Sequence, residues 1–218
     1  MKREFSFYEF VGILLPGVSL LLGLAVINDE FRGLVTNENF NVAKFGLFVL
    51  AAYLTGHIVQ GAGNLVDDLL IRRVIGKPTH WITWKHPPYL SAVQVKELPG
   101  ALRTLLGHDV GDLRKLSKRD TDGIRGQLYA KLQELKRTER LDIFNGNYGM
   151  FRGIWAGLLL TLVASVAEHG WRNRITIIVA VVLFFAVLRF FRFGWHYAAE
   201  LYRQALNAAQ NPNPKEQP

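Results

Sequence analysis

Four stretches without a single charged residue, 10–28, 45–56, 153–167 and 175–188, constrain this chain more than any other feature. Soluble cores scatter their apolar residues among charged ones at helical or strand periodicity and are not cut into blocks of this kind. A helix needs about 20 residues, at about 1.5 Å each, to cross the hydrocarbon of a bilayer. The first run meets that length over 8–27. The second meets it over 45–63 only if His57 and Gln60 are included. The third and fourth, 151–168 and 174–193, draw on flanking residues, with Arg152, Arg189 and Arg192 long enough to extend toward headgroups. Lys2 and Arg3 precede the first run as in a signal peptide, but Glu4 and Glu9 interrupt that pattern and no small-residue cleavage site follows, so a retained anchor is expected.

Charge then orients the spans. Between the first two, two basic residues (Arg32, Lys44) face three acidic ones (Asp29, Glu30, Glu38), whereas 64–151 carries fifteen basic against ten acidic residues. By the positive-inside rule the long segment is cytoplasmic, with both termini inside. Arg172 and Arg174, in the turn between spans three and four, run against this pattern. The formal net charge of +8 follows largely from the same layout, and points to contact with an anionic inner leaflet rather than to nucleic acid.

The expected fold is therefore an all-α integral membrane protein of the cell inner membrane. Spans one and two fill 1–63, a small, mainly helical cytoplasmic module 64–150, and spans three and four 151–194. The fourth helix extends through 195–210, because no proline interrupts it before Pro212, and 211–218 form a disordered tail. Within the module, Val66, Leu70 and Val74 continue span two as a helix. Short helices are expected over 101–106 and 110–116, separated by Gly107. A longer one opens at an Asp120-Thr121-Asp122 cap and carries Ile124, Leu128, Leu132 and Leu135.

Two groups of residues invite a functional reading. His57, Gln60, Asn64 and Asp67 or Asp68 recur at steps of three and four, so a polar stripe runs along the end of span two. Polar groups cannot face hydrocarbon without a partner, and "FNGNYGMFRGIW" supplies Asn145, Asn147, Tyr148 and Arg152 at the start of span three. Arg152 pairing with Asp67 or Asp68 gives an interhelical clamp at the inner boundary, and the same cluster is a candidate ligand, gating or catalytic site. The second group is aromatic: Trp81, Trp84 and Tyr89 lie among Lys77, His80, Lys85 and His86, a composition suited to a membrane-water interface, to packing, or to a platform for a nucleotide-type ligand.

Pro16-Gly17 in mid-span marks a kink whose freed carbonyl needs a donor, and Gly153 and Gly157 form a small-residue contact motif. With no cysteine, thiolate metal sites and cysteine nucleophiles are excluded. No P-loop, H-E-x-x-H, G-x-S-x-G or G-x-G-x-x-G motif occurs. No catalytic residue, metal or cofactor is expected. The layout resembles that of small bacterial membrane proteins that act as oligomeric effectors or partners in multi-protein systems, including antiviral ones. That resemblance implies a homo-oligomeric, channel-like or membrane-perturbing component whose cytoplasmic module meets a cytosolic protein or nucleotide. A membrane-interface enzyme built on His57, Asp67, Asp68, Tyr148 and Arg152 is the rival expectation, and a passive anchor for a soluble partner the third.

Overall fold

The computed structural model describes residues 7–36, 41–71, 73, 76–84, 87 and 89–211. Among them there are seven α-helices and no strand: α1 (Phe7–Ile27), α2 (Asp29–Thr36), α3 (Val42–Val66), α4 (Ala92–Leu106), α5 (Lys118–Glu134), α6 (Glu139–His169) and α7 (Arg174–Gln210). Four of these, α1, α3, α6 and α7, are long and apolar enough to cross a membrane, consistent with a multi-pass membrane protein.

The helix ends correct several expectations. Asn41 caps α3 by accepting from the Lys44 N–H, so the helix starts a turn earlier than residue 45. It does not run on regularly either: Asp67–Ile71 forms a π turn, while the expected continuation to Val74 lies outside the described residues. Instead of two short helices there is one, α4, which Ser91 and Gln94 open with reciprocal caps and Gly107 closes in the left-handed region (φ 75°). Pro99 sits inside α4, and 110–116 contains only a 3-10 turn at Leu113–Lys115. Ser117 caps α5, which places Asp120, Thr121 and Asp122 within the helix. The short α2, capped by Asn28, has no counterpart in the expected layout. In α6 the helix is already formed at Glu139, so "FNGNYGMFRGIW" lies in its interior. The expected length of α7 stands, at 37 residues. Of the expected tail, 212–218 lies outside the described residues.

Two compact units emerge. Unit 1 comprises Met1–Leu70 and Gly146–Phe190. Its helices meet through small residues. A Cβ at Gly17 would come within 1.7 Å of the Ala52 carbonyl oxygen, and one at Gly56 within 2.0 Å of that of Ile13, so α1 and α3 cross backbone against backbone. Gly153 of α6 rests against Pro16 and Gln60 in the same way. Lacking an N–H, Pro16 leaves the Gly12 carbonyl without its helical donor, and Gln60 Nε2 supplies one at 2.9 Å. Elsewhere in unit 1, buried Ser165 and Thr176 join by their hydroxyls at 2.8 Å.

Unit 2 comprises Ile71–Asn145 and Phe191–Pro218. Its core is conventional. Leu98 and Leu102 of α4, Leu128 and Leu132 of α5, Leu141 at the start of α6 and Leu201, Tyr202 and Ala205 of α7 bury one another. Leu201, Tyr202 and Ala205 thus form an apolar stripe on the last helix that packs with α4 and α5. Polar supports accompany it: Tyr202 donates to the Thr79 carbonyl at 3.0 Å, and Tyr129 to Asp142 at 2.5 Å. Burial, aided by the Asp142 hydrogen bond and charge, pushes the Tyr129 phenol up to about 12, so it stays a donor.

Candidate functional site

The polar stripe of α3 is divided by the helix itself. Steps of three and four drift around the helical wheel, and Ala52, Gly56, Val59, Gly63 and Asp67 form the buried face. Gln60 sits at its border and spans two neighbours, donating to Gly12 and, at 3.1 Å, to the Gly149 carbonyl of α6. His57, Asn64 and Asp68 are exposed on a different face. His57 stands edge-on against Tyr53, ring centres 4.8 Å apart.

Inside, Asp67 has no solvent exposure, and its Oδ2 lies 3.6 Å from Nη1 of Arg152, whose side chain is 17% exposed. That distance is an ion pair rather than a good hydrogen bond. Gly63 makes room for it, since a Cβ there would press on the Arg152 backbone and side chain at 3.1–3.4 Å. The guanidinium also lies 5.9 Å from the centre of the Tyr148 ring, which stacks on Phe190 at 4.6 Å. Of the remaining expected residues, Asn147 is half-buried and Asn145, in unit 2, is exposed. The structure therefore holds Arg152 against Asp67 and Tyr148, while Gln60 ties α3 to the backbones of α1 and α6. These contacts link α3 and the π turn that follows it to α6.

The aromatic group belongs to unit 2. Trp81 is only 3% exposed and packs edge-on against Trp195 at 5.3 Å, whereas Trp84 and Tyr89 are 42% and 43% exposed. Tyr89, held at φ 64°, stacks on His196, which also stacks with Phe144. Its carbonyl accepts from Arg203.

A charged triad missed in the sequence supports the same segment. The Lys77 ammonium contacts Asp122 Oδ2 at 2.6 Å, His80 Nε2 contacts Oδ1 at 3.1 Å, and His80 Nδ1 accepts from the Lys77 backbone N–H at 3.2 Å. An acceptor at Nδ1 makes Nε2–H the donor to Asp122. Burial, together with the nearby charges of Lys77 and Lys118, holds the imidazole below its usual pKa although Asp122 opposes this. Burial would raise the Asp122 carboxyl, but the hydrogen bonds from Lys77 and His80 more than offset it and hold it low. The one signal available in sequence was a cap-type Asp at the start of α5. Its partners lie more than 40 residues away.

Among the described residues no three His, Asp or Glu side chains come together as metal ligands would. No family model matches the chain, and neither a curated protein nor a solved structure is significantly similar to it.

Proposed function

We propose that this chain is a multi-pass inner-membrane protein that works as a homo-oligomeric, non-enzymatic effector. Unit 2, on the cytoplasmic side, receives a signal or partner, and the four long helices carry the response in the bilayer as a channel-like or membrane-perturbing element. The observation that carries this reading is the combination of four helices of membrane-spanning length with a separately compact helical unit built from the inserted segment and the end of α7. Its test is ion flux from liposomes containing the purified protein, with and without cytosolic extract or candidate nucleotides. Stimulated flux from an oligomer is expected. A tightly sealed bilayer containing monomers under all these conditions overturns the proposal.

The polar cluster of unit 1 serves this reading as a clamp. An enzyme using His57 with Asp67 would need the two side chains on one face, and the exposure of His57 against the burial of Asp67 favours the structural role. Arg152→Gln should then lower thermal stability, with Asp67→Asn recovering part of the loss, as expected when an unpaired buried charge is the main penalty.

A further inference from the structure

Along α3, Leu47, Leu50, Leu54, His57, Gly61 and Asn64 recur in alternating steps of three and four, and every one of them is exposed. Such steps keep close to the helical repeat, so the six residues form one seam along the helix. That seam is turned away from the buried face of Ala52, Gly56, Val59 and Gly63, which α1 and α6 occupy.

The leucines of the seam suit hydrocarbon, but two of its members do not. Lys44 is the last charged residue of α3 before Asp67. At about 1.5 Å per residue, His57 lies about 20 Å further along the helix and Asn64 about 30 Å, the thickness of the hydrocarbon itself. With Lys44 among the outer headgroups, His57 is well inside the apolar layer and Asn64 is at its inner edge. The imidazole meets the Tyr53 ring edge-on, yet its nitrogens, like the Asn64 amide, have no hydrogen-bond partner among the described residues. Lipid chains offer none, so polar groups on this face have to meet protein.

The seam also indicates which protein. A neutral imidazole and a carboxamide each carry both a donor and an acceptor, and so can pair with their own kind. Copies of one chain enter a bilayer in the same orientation, which brings α3 beside α3 in parallel and sets each residue level with its counterpart. Leucines spaced by three and four interlock in that arrangement. Between His57 and Asn64, Gly61 lets two backbones approach, because a Cβ added there would meet nothing within 4 Å in its own chain.

We propose that α3 is the contact through which two copies of this chain pair in the membrane, packed in parallel along the seam from Leu47 to Asn64, with His57 hydrogen-bonded to its counterpart. The inference rests on the homo-oligomeric membrane reading above and assigns its interface. Asp68, the next residue along the seam, falls beyond the hydrocarbon, where water and salt screen two like charges.

The chain contains no cysteine, so single introduced cysteines report contacts without background. In liposomes of the full chain oxidised with copper phenanthroline, Leu50→Cys, Leu54→Cys and Gly61→Cys should form disulfide-linked dimers that persist on dilution with lipid. Ile178→Cys and Phe185→Cys, on similarly exposed positions of α7, should stay monomeric. Energy transfer between labelled copies, followed over a range of protein-to-lipid ratios, then measures the pairing. His57→Leu should weaken it about tenfold, the size of one interhelical hydrogen bond. His57→Gln, which keeps a donor and an acceptor, should retain it. Gly61→Leu should abolish it while leaving helix content by circular dichroism unchanged. If Gly61→Leu does not fold, the cysteine pattern decides. Equal cross-linking of α3 and α7, seam yields that fall in proportion to dilution, or energy transfer unchanged in His57→Leu overturns the seam. A protein that assembles through another face loses the seam only, whereas one that is monomeric at every protein-to-lipid ratio overturns the homo-oligomeric reading and the seam with it.

Discussion

Units 1 and 2 are both helical, yet they are held together by opposite means. In unit 2, large side chains face inward: Leu98, Leu102, Leu128, Leu132, Leu141 and Leu201 are fully buried. In unit 1 many large side chains face outward, including Phe45, Leu47, Leu50, Leu54 and Ile58 of α3 and Phe184, Phe185 and Leu188 of α7, while glycines occupy the contacts. Exclusion of apolar surface from water drives the first arrangement. It cannot drive the second if lipid surrounds it, because hydrocarbon is as apolar as leucine; close backbone approach and buried hydrogen bonds must do so. The same amino acid, leucine, is thus adhesive in one unit and solvent-facing in the other.

Substitutions that add or remove bulk should separate the two modes. Gly56→Leu is the most damaging expected change, since even its Cβ would collide with the Ile13 backbone; the folded protein should be lost from detergent extracts, as judged by size-exclusion chromatography. Survival with an unchanged melting temperature would break the comparison. Leu132→Ala should cost about 2–5 kcal/mol by leaving a cavity in unit 2, read as a lower denaturant midpoint for its near-UV signal. Leu54→Ala removes a side chain of the same type but 57% exposed, and should shift the melting temperature far less than Leu132→Ala. Gly12→Ala, with nothing within 4 Å of the added methyl group, should be close to neutral or slightly stabilising in thermal melts.

A pH titration sharpens the account of unit 2. His80 binds its proton less readily when folded than when unfolded, so its contribution is complete above the ordinary imidazole pKa of about 6.5 and declines as pH falls below that value. Asp122 keeps its contribution down to the ordinary carboxylate range and loses it only in stronger acid. Melting of unit 2 should therefore weaken first as pH falls below about 6.5, and His80→Gln should flatten that step.

What the sequence made legible were features carried by continuous runs. The four long helices follow from charge-free blocks, and the reach of α7 from the absence of proline before Pro212. Helix boundaries were less visible. Pro99 and the glycines near Tyr148 look like breaks, yet α4 and α6 pass through them because tertiary contacts outweigh local propensity. In the candidate site, burial cost alone paired Arg152 with Asp67 or Asp68, whereas the choice between them and the exposure of His57, Asn64 and Asp68 depend on helical phase, which steps of three or four leave loose over several turns. The Lys77–His80–Asp122 triad could not be read because its two segments are distant in the chain.

The crossing of α1 and α3 has a mechanical consequence. Where Gly17 meets the Ala52 carbonyl and Gly56 meets that of Ile13, backbone lies directly against backbone, with little side chain between the helices to bend or swap rotamers. Sliding either helix along its axis would drive an oxygen of one backbone over the ridge of the other. The pair is notched against travel along its axis.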